Sequence, residues 1–482
     1  MLTFVIVRSI RDEMAKTGRE RWKDTLKGLP PERPVMEQAG NEGRPTNVAG
    51  GRLVSRTREV SDLSFSAFLA SQSAPRVSWA TPDGFELVGG DAAATLTATG
   101  PDRFDTLRED AAALFADSDT DGPPAARPRA IGGLAFDPSH EPAPPWTGFP
   151  GALFVVPRVQ LTRADDRTWL TVTAAGPDLD PATVTADLDA AHDAITDLPM
   201  MRPSGGGPGV TATRRTASKD EWTDGVAAVV ERIQAGDLRK VVLATALDVD
   251  LASSIDVPGT LERLRRTYPE CYRFLVQPTA ESGFFGPPPE RLVKITGQAV
   301  ETEALAGSVA RGDTPEADAE LARSLETSEK IRHEQGVVVD AIRERLAPLG
   351  EVRVGERGVR KLANIQHLRT PITATLDDDT HVLDVVEALH PTPAVGGLPP
   401  ERAREVIHET EPFDRGWYAA PMGWFDAAGD GEFAVGIRSA VAGGRHARLY
   451  AGNGIVADSD PDEEWAELGP KFRPVLDELE RE

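Results

Sequence analysis

No stretch constrains this chain more than Leu449-Tyr450-Ala451-Gly452-Asn453-Gly454-Ile455-Val456 and the segment that follows it. The Gly-x-Gly step lets backbone come close to a bound group, and after an acidic turn the chain re-enters a helix. On that helix Glu464 and Glu467 stand at i and i+3, so both carboxylates share one face, while Trp465, Leu468 and Phe472 form the apolar side that docks it. Paired carboxylates suit a hard cation, and Lys471, one turn beyond Glu467, supplies a point positive charge for an anionic ligand. A solvated acidic helix in an acidic protein fits the same spacing, so residues elsewhere must decide between the two.

The acidic background is pronounced. Against 53 basic residues stand 77 acidic ones, a net charge of -24, which argues against nucleic acid as a partner. Only nine of the basic residues are lysines, and scarce lysine with acidic excess indicates a halophilic protein whose self-repulsion is screened by salt. A lysine inside an apolar segment is therefore informative. The 482 residues have the hydrophobic and charged fractions of a globular protein, 40% and 27%. The single cysteine, Cys271, excludes an internal disulfide and any cysteine-based metal cluster, and fits a reducing cytoplasm. The apolar run Leu2 to Val7 is too short to span a membrane, and no export signal is expected.

Residues 1–50 carry nine basic and seven acidic side chains, a balance of +2 (9 − 7), so the remainder holds −26 (−24 − 2). With Pro30, Pro31, Pro34 and a Gly-rich end, this segment reads as a disordered extension or a start codon placed too far upstream. The domain proper is expected over 51–482, with a structural half at 51–215 and a catalytic segment at 216–482. In the first half, strands are expected at Arg76 to Ala80, Phe85 to Leu87 and Ala130 to Asp137, a helix at Thr106 to Ala116, and a hairpin from Ala152 to Ala174. Pro199 to Arg215 reads as a loop.

In the second half, Ser218-Lys219-Asp220-Glu221 is a capping box, and the helix it starts ends at Gly236. The next run, Lys240 to Leu247, is a strand with Lys240 at its head. Pro287-Pro288-Pro289 is a stiff turn presenting Glu290, and the small-residue turn ending at Gly307 and Ser308 offers backbone N–H groups to an oxygen ligand. Residues 316–347 give the longest helical pattern, bearing Glu334 and a mid-helix Gly336 that suggests close packing or ligand approach. Phe433 to Ala440 alternates like a strand carrying Arg438. Short strands and long helices alternate without a βαβ repeat, so the class is α+β.

Together these pieces resemble the chorismate-utilising enzymes, the family of anthranilate, aminodeoxychorismate, isochorismate and salicylate synthases. The matching runs are 240–244, 288–292, 305–308, 328–334, 389–394, 437–440, 451–456 and 464–467, with a weaker one at 132–138. The resemblance implies one large domain in which two packed antiparallel β-sheets are flanked by helices. It also implies Mg²⁺ held by Glu334 and Glu467 with Glu464 nearby, gripping the ring carboxylate of chorismate. Arg438 and Lys471 would bind the enolpyruvyl carboxylate, with Gly307, Ser308 and Gly452 lining the substrate.

Two positions divide the family. Aminodeoxychorismate synthases carry lysine where this chain has Ala306, and anthranilate synthases lack lysine at the place of Lys240. The pattern here is that of enzymes adding water at C2 of chorismate, with neutral Lys240 as general base and Glu290 as general acid on the departing C4 hydroxyl. The expectation is an isochorismate synthase feeding menaquinone, monomeric and cytoplasmic. Salicylate synthase is the enzyme rival, and a non-catalytic ion-binding protein is the rival from another class. Three departures from the pattern stand near the expected site: Ile331 in place of an acidic residue, Gln335-Gly336 in place of His-Glu, and Asn453 in place of alanine.

Overall fold

Local chemistry sets the element boundaries around the expected site. Ser218 caps the helix Lys219–Gln234, its hydroxyl accepting from the Glu221 amide at 3.2 Å while the Glu221 carboxylate accepts from the Ser218 amide at 2.8 Å. Trp222, Val226, Val229 and Ile233 form its buried face, and Gly236, at φ +83°, turns the chain out of it. The strand Lys240–Leu251 follows.

This computed structural model describes residues 51–481, apart from 62, 200–204, 363 and 364. The expectation for residues 1–50 lies outside the described residues. Among them the α+β class holds: helices bury one face each, and the strands join in one hydrogen-bonded network that is antiparallel throughout save for Leu53–Ser55 beside Ser118–Thr120. In the structural half the strands Ala152–Ala164 and Arg167–Gly176 pair across Asp165 and Asp166, both left-handed at φ 50° and 60°, as a tight hairpin requires. An aromatic stack joins the two halves. Trp146 lies face to face with Tyr450, 5.5 Å between centroids, and Tyr418 stacks on Tyr450 at 5.0 Å. No helix among the described residues is long and apolar enough to cross a membrane.

Four local expectations need correction. The helical pattern at 316–347 is two helices, Pro315–Thr327 and Glu329–Leu346, because the Ser328 hydroxyl accepts from the Ile331 amide and starts a new helix there. Val210–Arg215 is a strand rather than part of a loop, paired with Leu247–Leu251. The Phe433 strand stops at Val435, so Arg438 sits on an irregular connection before Ala440–Gly443. At Gly336 an added Cβ would meet nothing within 4 Å, so close packing does not explain that glycine.

Candidate active site

The centre of the site is the antiparallel ladder between Lys240–Leu251 and His446–Ile455, where Asn453 faces Leu243 and Gly454 faces Val242. Leaving this ladder, the chain turns into the helix Pro461–Glu480, whose first amides at Asp462 and Glu463 donate to the Asp460 carboxylate. A Cβ on Gly454 would stand 2.7 Å from Cε and 3.1 Å from Nζ of Lys240. The glycine thus makes room for the lysine amine.

Burial draws the Lys240 pKa down, and the charges of Glu334, Glu290 and Glu464 act against that shift. These three carboxylates, from a helix, a turn and the C-terminal helix, stand near enough for their charges to reach the lysine. Glu290 is pushed up to about 7 by burial, opposed chiefly by Arg438, reinforced by Glu303 and opposed by Lys240. Glu303 is itself held by Arg360 at 2.6 Å and Arg369 at 2.5 Å.

Arg438 has φ +54°, the left-handed region that a non-glycine residue occupies at a cost of about 1–3 kcal/mol. Its side chain reaches a cavity of about 210 Å³ that Tyr268, Cys271, His367, Glu467 and Lys471 also line. Burial and the neighbouring Arg438 charge bring Lys471 down to about 8. Its ammonium donates to the Gly452 carbonyl at 3.0 Å and to Oδ1 of Asn453, while the Glu467 carboxylate stands off at 3.8 Å. A larger cavity, about 360 Å³, lies at Asp137, His140, Glu411 and Arg415 and is lined by none of the expected site residues.

Gly307 and Ser308 are not in a turn between elements but in a bulge of the strand Ala299–Ala310, where the register with Ile365–Leu376 shifts between Ala306 and Val309. Gly307 is left-handed at φ +62°, and a Cβ there would strike the Ile331 side chain at 2.6 Å. Its carbonyl receives Nδ1 of His367 at 2.9 Å. Burial lowers His367 to about 4, keeping the ring neutral at ordinary pH. Sequence reading missed His367 and gave Asn453 no role beyond a departure from the family pattern. A histidine within an apolar strand and an amide between two glycines were the available signals.

The expected metal carboxylates do not form a closed cage. Among the described residues no three His, Cys, Asp or Glu side chains gather as a metal-binding group. Glu464 accepts from Ser459 Oγ at 2.8 Å, and burial together with the Glu467 charge raises its pKa. Glu464 and Glu467, two carboxylates of like charge on one helix, have the chemistry of donors to a hard dication that keeps water and ligand oxygens, not of a structural metal locked in by protein alone.

Residues 38–480 match the model of the family described as chorismate binding enzyme, a match that begins inside the segment set apart by its charge. The chain is 36% identical over 383 residues to the salicylate biosynthesis isochorismate synthase of Pseudomonas aeruginosa, covering 79% of this chain and 80% of that one. It is 36% identical over 360 residues to the isochorismate synthase MenF of Bacillus subtilis, covering 74% and 75%. The structure of MenF, the menaquinone-specific isochorismate synthase from Escherichia coli, superimposes with a TM-score of 0.73 at 30% identity, covering 89% of this chain and 95% of that one. Anthranilate synthase component I from Streptococcus pneumoniae, 19% identical with a TM-score of 0.67, shares the fold. With its fold and nearly its whole length matched, this chain belongs to the chorismate binding enzyme family.

Proposed function

We propose that the protein is an isochorismate synthase that adds water at C2 of chorismate with loss of the C4 hydroxyl, in the cytoplasm and in the service of menaquinone synthesis. The observation that carries this reading is the pair Lys240 and Glu290: one site, one lysine lowered by burial and one carboxyl raised to about 7 by the same cause. An amine that holds its proton less tightly and an acid that holds one more tightly suit an attack and a departure on one ring. Lys240 takes a proton from the attacking water as its oxygen bonds to C2; the ring double bond shifts; the C4–O bond breaks as Glu290 protonates the leaving hydroxyl, which departs as water.

Arg438 and Lys471, both bordering the cavity, supply the positive charge for the substrate carboxylate distant from the metal. Glu334 and Glu467 would hold Mg²⁺ with Glu464 alongside, and the ion when bound would offset the charge of the ring carboxylate. The names of the Bacillus subtilis and Escherichia coli relatives support the reaction, and the Escherichia coli title supports the pathway.

Chromatography of the products from chorismate, Mg²⁺ and enzyme in molar salt tests the reading. Isochorismate is the expected product. Salicylate with pyruvate would move the assignment to salicylate synthase, and unchanged chorismate would defeat it.

A further inference from the structure

Lys471 is a half-buried ammonium whose carboxylate neighbour, Glu467, makes a long ion pair with it rather than a hydrogen bond. Two of its three N–H directions are taken by neutral oxygens, the Gly452 carbonyl and Asn453 Oδ1, and Glu467 lies beyond hydrogen-bond reach at 3.8 Å. Asn453 is 2% exposed and does not line the cavity. Its carboxamide is used at both ends, since Nδ2 donates to the backbone carbonyl of Glu464. One side chain thus ties the Lys471 ammonium to the strand and the strand to the helix that bears Glu464 and Glu467.

We infer that Asn453 is a positioning residue for anion binding: its amide oxygen takes up the Lys471 ammonium and leaves the ion pair with Glu467 long, at 3.8 Å, so that the ammonium is offered to a substrate carboxylate. The spacing of the charges supports this. Glu467 and Lys471 stand at i and i+4 on one helix, the spacing at which such pairs close. A closed pair would spend the positive charge on the protein's own carboxylate. An amide oxygen can occupy the ammonium without neutralising it, whereas a carboxylate cannot. The same tripeptide leaves room for Lys240 at Gly454, so residues 452–454 set the place of both site lysines.

This inference deepens the proposed function and rests on chorismate as the ligand. Asn453→Ala is the direct test. The position takes alanine in the family pattern, so the strand tolerates it, and Asn453→Ser serves as a second variant should the first unfold. Full-length wild type, Asn453→Ala, Lys471→Ala and the double variant are compared for kcat and KM on chorismate, with chorismate affinity measured by titration calorimetry. The expected result is a KM about tenfold higher in Asn453→Ala, the scale of one charge-assisted hydrogen bond, with kcat within about threefold of wild type. The double variant should be no worse than Lys471→Ala alone, because Asn453 acts through that lysine. Independent, multiplying effects of the two substitutions, or a KM unchanged in Asn453→Ala, would overturn the inference while leaving the proposed function standing. A wild type that neither turns over nor binds chorismate would overturn both.

Discussion

The two ends of a single ladder, Lys240–Leu251 against His446–Ile455, treat charge in opposite ways. At one end Arg448 faces Asp248 and His446 faces Asp250 across the strands, and Arg214 joins from the next strand at 2.9 Å from Asp248. Each basic side chain named there has an acid beside it. At the other end the strand narrows to Gly452-Asn453-Gly454, and the two lysines rest against a glycine, a carbonyl and an amide. Paired charges on a partly exposed ladder hold register and have little left to offer a ligand. Charges whose direct contacts are neutral groups, with carboxylates standing further off, cost stability and keep part of their field for whatever enters the cavity.

Substitutions at the two ends should therefore separate activity from stability, and the largest effect belongs to Lys240. Lys240→Ala is expected to lower kcat by at least about 10²-fold while the fold, read by circular dichroism, persists. Near-normal isochorismate formation by this variant would remove the lysine from the mechanism.

Next comes the pH response of Glu290. Its folded pKa of about 7 lies above the ordinary carboxyl value of 4.5, so the folded state retains a proton that the unfolded state gives up. Acid catalysis should decline as pH rises through about 7, and Glu290→Gln should abolish that limb along with most activity. The sign for stability follows from the same shift: the penalty is absent below 4.5, grows between 4.5 and about 7, and is complete above it. Melting temperature should thus be raised by Glu290→Gln at pH 8 and little changed at pH 4. A higher gain at pH 4 would show that the carboxyl is not destabilised by burial.

Metal dependence ranks third. Glu334→Ala or Glu467→Ala is expected to raise the Mg²⁺ concentration for half-maximal activity about tenfold or more, and Glu464→Ala less, since the Glu464 carboxylate is already engaged by Ser459. Equal Mg²⁺ titrations for all three and wild type would dissolve the carboxylate set.

The smallest effect is expected at the paired end. Arg448→Ala should cost about 1 kcal/mol or less in urea unfolding and leave kcat/KM unchanged, because its pair with Asp248 is a quarter exposed and solvent-screened. A loss of activity there would erase the contrast between the two ends.

Much of this was legible in residue order because the interactions are local. The Ser218 box, the Asp165-Asp166 hairpin and the placing of Glu464 and Glu467 on one helix face each depend on residues a few positions apart. The break at Ser328 was hidden because apolar periodicity runs through it, and a serine caps a helix as readily as it rides on one. The bulge at Gly307 was hidden because a bulge exists only relative to a partner strand, here Ile365–Leu376, about sixty residues on.

By itself, then, the sequence determined the α+β class and many of the helices and strands around the site, since propensity, capping and periodicity act over a turn or two of chain. Only the tertiary structure decided which charges would be satisfied and which left in reserve. Gly454 meets Lys240 across a ladder, Glu290 meets Arg438 and Lys240 from a separate turn, and Asn453 reaches Lys471 through the strand-to-helix turn. Burial and charge act through space, and the distances they depend on come into being when strands remote in sequence are laid side by side.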